Sequence, residues 1–344
     1  MLQSDNMKSK LFRWSILVIV LIIILLVVSL LSLCIGSTGI SFDKIVPLVL
    51  GDKSSIEHSI VFDIRLPRII LGFAVGSALS VAGVILQGLF RNPLVEPYTL
   101  GISGGAALGI CLNIVLGMYK IMGVLSLPFV GFAGALIVIL FVYFLSIKKG
   151  VMKIQELLLT GVMISFITSS LIMLIMAVSR VENLQEIIFW IMGSLEEPNW
   201  ILIKSVLLIS VMGIVIASFF AIDLNALALG EESAVHLGVN VEKTKKILFV
   251  LASLLTGFSV SVTGIIGFVG LVIPHFVRMF VGGDHRILII ASAVVGGTFL
   301  ILCDALARTI ISPLELPVGV ITGIIGGIIF IYFLSKKRIS LGGK

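Results

Sequence analysis

Charge is what this sequence has least of. Only 12% of its 344 residues are Asp, Glu, Lys or Arg, while 59% are hydrophobic. Soluble domains carry about 25% charged residues, so this balance excludes an ordinary globular protein. Histidine occurs four times, at His58, His236, His275 and His285, with no metal-ligand spacing. The three cysteines, Cys34, Cys111 and Cys303, lie in apolar segments and read as small buried residues. No G-x-x-x-x-G-K-S/T is present, so any nucleotide that drives this protein belongs to another chain. The net charge of +6 reads as topology, because the basic residues cluster in particular loops. It forms no basic face for nucleic acid, and no resident metal or cofactor is implied.

What the chain has is long apolar runs. A bilayer-crossing helix needs about 20 apolar residues, and runs of that kind predict spans at 16–35, 67–90, 98–117, 121–146, 154–178, 200–220, 247–266, 268–280, 287–307 and 317–334. The fold class is therefore an all-α polytopic membrane protein with about ten transmembrane helices. The first run is full span length and lacks a clear small-residue cleavage site, so it reads as an uncleaved helix. Ten spans put sixteen Lys and Arg on the side of the two termini and eight on the other. The positive-inside rule then places both termini in the cytoplasm. The whole chain, 1–344, reads as one transmembrane domain with no room for a separate soluble unit.

Two patterns add organisation. Offset by 181 residues, Gly76, Ser80, Val81, Gly83, Ile85 and Pro93 match Gly257, Ser261, Val262, Gly264, Ile266 and Pro274. With ten spans the copies, about 65–178 and 246–334, run in opposite directions, an inverted repeat of the kind transporters use. Gly72/Gly76, Gly101/Gly105/Gly109 and Gly319/Gly323/Gly327 form small-x-x-x-small faces for close helix packing.

The stretch 65–109 breaks at Asn92-Pro93 and Glu96-Pro97. It reads either as a tight turn between ordinary helices or as broken backbone lining a cavity. Arg65, Arg68 and Arg308 fall at span ends, because an arginine at the bilayer centre costs roughly 2.5–3.5 kcal/mol. Simple snorkelling explains them, with Asp304 four residues before Arg308 as a partner; so does a basic rim for an acidic protein. The most polar internal stretch, about 226–240, is punctuated by Gly230 and Gly238 into two short amphipathic helices. It suits a solvated loop or a docking element for a partner groove.

RLPR (65–68), G-x-x-L-x-x-A-G-x-x-L-Q (76–87), NPLVEP (92–97) and LGISGGAALG (100–109) resemble the FecCD-type permeases. So do LALGEESAVHLGV (227–239), GFVGLVIPHFVR (267–278), DHR (284–286), DALAR (304–308) and ELPVGVITGIIGG (315–327). These are membrane subunits of ABC importers for iron-siderophores, haem and cobalamin. The resemblance implies a dimer, with a second copy or a paralogous permease, and a pathway along its interface. It also implies two ATP-binding subunits holding ATP and Mg, an extracytoplasmic substrate-binding protein, and a bacterial or archaeal cytoplasmic membrane whose lipid surrounds the helices. By resemblance Arg65, Arg68 and Arg308 dock the binding protein. Asn92, Leu94 and Gln155 form a cytoplasmic gate, and Leu229, Gly230, Glu231, Ala234, Leu237 and Gly238 couple to the ATPase. Short external helices are expected near 184–192 and 313–319. The expected cargo is an iron(III)-siderophore, with haem or cobalamin as alternatives, and the chain has no catalytic residue of its own. Two other classes stay open: an intramembrane serine protease on Ser103, in a G-x-S-x-G match, and an ion-coupled transporter using Asp304.

Overall fold

The computed structural model describes residues 2–36, 39–41, 55–123, 125–148, 151–197 and 199–341. Asp43, Lys44, Asp52 and Lys53 of the polar connection lie outside them. Ten helices form the bundle: α1 (Leu2–Cys34), α2 (Leu66–Phe90), α3 (Ile102–Val115), α4 (Ser126–Ser146), α5 (Ile154–Val178), α6 (Trp200–Phe219), α7 (Val241–Thr263), α8 (Val269–Val281), α9 (His285–Ala307) and α10 (Val318–Leu341). Seven are long and apolar enough to span a bilayer; α3, α8 and the apolar part of α10, Val318–Phe333, are shorter. Helix α1 begins and α10 finishes at one end of the bundle, here the terminal face. Lys10 bonds there to Asp284 ahead of α9, and Phe330 and Phe333 pack against His275 of α8.

Helix α2 is the axis. Its residues are almost all buried, and α6, α7, α8 and α9 pack around it. Small side chains make this possible, since lipid supplies no hydrophobic drive and helices must gain van der Waals contact by close approach. A Cβ on Gly76 would strike the backbone of Gly296 and Gly297 in α9, and one on Gly83 the carbonyl of Gly270 in α8. Ser77 donates to the Ala293 carbonyl at 2.8 Å across the same contact. Pro274 inside α8 has no N–H for the carbonyl of Gly270. Gln87 of α2 supplies the donor instead, reaching the Gly270 and Leu271 carbonyls at 3.3 and 3.2 Å.

The inverted repeat is visible in lengths and in packing. Helices α2 to α5 have 25, 14, 21 and 25 residues, and α7 to α10 have 23, 13, 23 and 24. Helix α2 packs on α9, and reciprocally α7 packs on α4. The 181-residue offset does not register the helices: α2 and α7 start at Leu66 and Val241, 175 residues apart, and α3 and α8 at Ile102 and Val269, 167 apart. Gly83 lies in mid-helix while Gly264 caps α7 with φ +71, and Pro93 is in a loop while Pro274 is inside α8.

Both breaks enter the bundle. After α2, Arg91 (φ 48) closes the helix: its N–H donates to the Gly88 carbonyl, and the Asn92 N–H to that of Gln87. The chain returns as a 3₁₀ turn, Pro97–Leu100, before α3. The Tyr98 hydroxyl donates to the Ile266 carbonyl at 2.7 Å and accepts from the Ile266 N–H at 3.2 Å, in the irregular segment between α7 and α8. At 14 and 13 residues, α3 and α8 are about 20 Å long. Each covers only part of the ~30 Å hydrocarbon thickness, and the non-helical backbone between is satisfied by protein. The 92–97 break thus makes a tight turn at Asn92–Val95 and then re-enters the bundle packed against protein.

Several boundaries differ from expectation. Helix α1 starts at Leu2 because polar residues outside the bilayer continue the helix, and hydropathy cannot register them. The short helix expected near 184–192 is found at Val181–Ile191. The one expected near 313–319 is absent: Pro313 and Pro317 remove backbone donors, and the chain makes a tight turn bridged between Ile311 and Leu314.

Gly83→Ala should lower stability by about 1–3 kcal/mol through overpacking. Gly323→Ala, where a Cβ meets open space, should stay within about 0.5 kcal/mol. Equal unfolding midpoints in detergent for the two variants would contradict the close α2–α8 contact.

Candidate functional site

The chain concentrates its charge at the two faces. At the face opposite the termini, α2 brings Arg68 beside the end of α9. Arg68 reaches Asp304 Oδ1 through Nε and Nη2 at 3.2 and 3.0 Å, Glu315 Oε2 at 2.6 Å and Glu196 Oε1 at 3.4 Å. Arg308 Nε lies 3.0 Å from Asp304 Oδ2, an ionic contact whose N–H is not aligned for a hydrogen bond. Arg308 also donates to Ser32 Oγ at 2.8 Å and to the Ile35 carbonyl at 3.1 Å. Arg65 donates to the Leu33 carbonyl at 2.6 Å. The three arginines are thus brought together, but turned inward: none exposes more than 5% of its surface. Asp304 is the hinge of the cluster, serving two guanidinium groups while itself buried. The exposed carboxylate is Glu196, and Glu315 is partly exposed.

At the terminal face, Asn92 accepts the Leu94 N–H through Oδ1 at 3.0 Å and fixes the turn after α2. Leu94 is half exposed. A cavity of about 380 Å³ lies beside this turn, lined by Arg91, Lys153, Gln155, Glu156 and Glu231 among others. It brings the predicted gate residue Gln155 and the coupling residue Glu231 to one place, while Asn92 and Leu94 sit next to it without lining it. The polar stretch forms two short helices, Ala221–Ala228 and Glu231–His236, separated by Gly230 (φ +121) and followed by Gly238 (φ +85). Ala234 is buried against the bundle, whereas Leu229, Val235 and Leu237 stand exposed at 70%, 59% and 64%.

Sequence reasoning missed two groupings here. Lys245 is buried among Glu231, Glu242 and the Met152 carbonyl. Asp284 accepts from Asn225, Lys10 and Arg286 at 3.0, 3.1 and 2.7 Å, and Lys10 and Arg286 both lie over the Trp14 ring. The Arg286 guanidinium, with Asn225 and Lys10, holds the Asp284 carboxyl well below the usual carboxylate range. Lys245 was hidden inside a basic run that reads as loop charge, and only the DHR motif (284–286) drew attention to Asp284.

The profile of the FecCD transport family matches residues 22–336. The chain belongs to the FecCD transport family. Over 293 residues it is 40% identical to the cobalamin import system permease protein BtuC of Halobacterium salinarum, covering 85% of this chain and 78% of that one. It is 39% identical over 280 residues to the hemin transport system permease protein HmuU of Yersinia pestis, covering 80% and 83%. The fold matches a solved metal-chelate type ABC transporter in an inward-facing conformation, with TM-score 0.83 and 32% identity over 93% of this chain and 98% of that one. As a FecCD protein the chain is a multi-pass membrane permease.

The other classes find little in this geometry. Ser103, with Tyr98, Ser165, Met173 and Met176, lines a cavity of about 450 Å³ between α3 and α5, but no histidine lines it to activate the hydroxyl. Asp304 is committed to two arginines, which leaves it no role in binding a coupling ion.

Asp304→Ala should leave the buried Arg308 guanidinium without its carboxylate, while Arg68 keeps Glu315 and Glu196, and lower stability by about 3–5 kcal/mol. Equilibrium unfolding in detergent would reveal it; a loss under about 1 kcal/mol would show that water or other carboxylates replace Asp304 readily.

Proposed function

We propose that this chain is the membrane permease subunit of an ATP-binding-cassette importer that carries an iron(III)-siderophore across the cytoplasmic membrane. It works as one transmembrane domain, paired with a second copy or a paralogous permease. Two ATP-binding subunits, which hold ATP and Mg, sit at the terminal face, and a substrate-binding protein docks on the opposite one. The observation that carries this reading is the set of exposed apolar residues Leu229, Val235 and Leu237, on and flanking the short helix Glu231–His236, beside the cavity that Gln155 lines. Apolar side chains held out in water mark a partner surface. The excess of Lys and Arg on the terminal side supports a cytoplasmic placement of both termini.

In this reading Leu229, Gly230, Glu231, Ala234, Leu237 and Gly238 seat on the ATPase. Asn92, Leu94 and Gln155 close the cytoplasmic mouth of a pathway between the two permeases, and lipid covers the exposed length of α1. Arg65, Arg68 and Arg308 anchor the docking face. Glu315 and Glu196 are the in-chain carboxylates that a docking carboxylate would displace from Arg68. ATP binding and hydrolysis rock the permeases between two openings. Relatives named for cobalamin and hemin make those cargoes the alternatives.

The deciding assay measures ATP hydrolysis by the reconstituted complex with candidate binding proteins, loaded with ferric siderophore, haem or cobalamin. Stimulation by the siderophore-loaded protein alone is expected. Stimulation by haem or cobalamin alone would replace the cargo, and failure to assemble with any ATPase would end the ABC reading. For docking, Arg65→Gln in a complex that remains assembled should weaken binding-protein affinity by about 2–5 kcal/mol. An unchanged dissociation constant would remove Arg65 from the docking face.

A further inference from the structure

The ammonium group of Lys245 is buried, with 2% of the side chain exposed, although it lies next to the most polar stretch of the chain. A lysine has three N–H donors and no acceptor, and here each donor has its own partner. Nζ lies 3.1 Å from the Met152 carbonyl, 3.1 Å from Glu231 Oε2 and 2.6 Å from Glu242 Oε1. Glu242 Oε2 accepts in turn from the Met152 N–H at 2.8 Å. The three acceptors come from different pieces of chain. Glu231 opens the helix Glu231–His236, and Glu242 is in the first turn of α7. Met152 ends the hairpin of β1 (Ile147–Lys148) and β2 (Val151–Met152), which leads through Lys153 into α5.

This arrangement solves a mechanical problem. The helix Glu231–His236 is only six residues long and hangs between Gly230 and Gly238, both with positive φ. Such a piece moves readily but transmits little by itself, because of its residues only Ala234 is buried. Gln155, on the far side of the cavity, belongs to the first turn of α5. Through Lys245 the six-residue helix is tied to the carbonyl of Met152, three residues before Gln155, and Glu242, which also meets Lys245, holds the Met152 N–H. Drawing Glu231 away would take from the buried ammonium one of its two carboxylates and leave one N–H donor without a partner, which is unfavourable, so the parts are held to move together.

We infer that Lys245 is a positioning residue that carries displacement of the helix Glu231–His236 into the start of α5, and so to Gln155. The inference rests on the permease reading above and adds to it the path by which the ATPase side reaches the gate.

The test uses the assembled transporter in nanodiscs and proteoliposomes. Glu231→Ala cuts only the arm from the short helix, because Lys245 keeps Glu242 and the Met152 carbonyl and the chain retains its fold. Spin labels at Leu237 or at Leu159 of α5 report ATP-driven distance changes between the two permease copies. In Glu231→Ala the Leu237 label should still respond to ATP while the Leu159 response is lost. Uptake per ATP hydrolysed should fall about 5- to 150-fold, the span of a typical coupling interaction. Lys245→Met should reproduce this uncoupling and Lys245→Arg, which keeps charge and donors, should restore it. If Leu159 responds in Glu231→Ala as in the wild type and uptake per ATP is unchanged, the cluster is only a structural staple and the inference fails. If the wild-type labels do not respond and no uptake occurs, the permease reading itself fails and this inference with it.

Discussion

The structure depends on one constraint: backbone that leaves the helix inside a bilayer must find its hydrogen bonds within the protein. The chain does so twice, at 92–101 and at 264–268, and the two breaks serve one another. Tyr98 from the first break both donates to and accepts from Ile266 in the second. The close approach of α2 to α8 at Gly83 and Gly270 holds that contact in place. Gln87 meets the further demand that Pro274 creates in α8. Each repeat is therefore incomplete alone, which accounts for the reciprocal packing of α2 on α9 and α7 on α4.

Between the faces the bundle is apolar and built on small residues; at each face it is pinned by buried charge. At the arginine end, Asp304 is buried between Arg68 and Arg308, while Glu315 and Glu196 meet Arg68 from the surface. At the lysine end, Lys245 is buried but its carboxylates are partly exposed, Glu231 at 42% and Glu242 at 34%. Both clusters therefore keep carboxylates at the surface, within reach of whatever binds there, and the arginine end adds one, Asp304, held inside.

Much of the fold was legible in the sequence, because apolar runs are a direct readout of lipid contact. Helix α5 was expected at 154–178 and found there. The limits have physical causes. Hydropathy cannot see the polar start of α1, and the helix that the resemblance implied at 313–319 is stopped by Pro313 and Pro317. The pair Asp304–Arg308 was readable at helical spacing, but Arg68 finds Asp304, Glu196 and Glu315 across 236, 128 and 247 residues. No local pattern encodes that. Counting Lys245 as loop charge was reasonable for topology yet blind to burial, since a basic run gives no hint of which member turns inward. The motifs around Gln155 and Glu231 suggested separate roles, and only the structure places both on one cavity.

The sequence distance between Arg68 and Asp304 also bears on how the molecule is made. A ribosome adds about 5–20 residues per second, so α2 enters the membrane roughly 10–50 s before the carboxylate that neutralises its arginine exists. During that interval the central helix is an orphan, its small-residue face unmatched and its guanidinium left to lipid headgroups or the insertion machinery. Both α1 and α2 thus wait for α9, α1 for its packing surface and α2 for the carboxylate that completes the axis of the bundle.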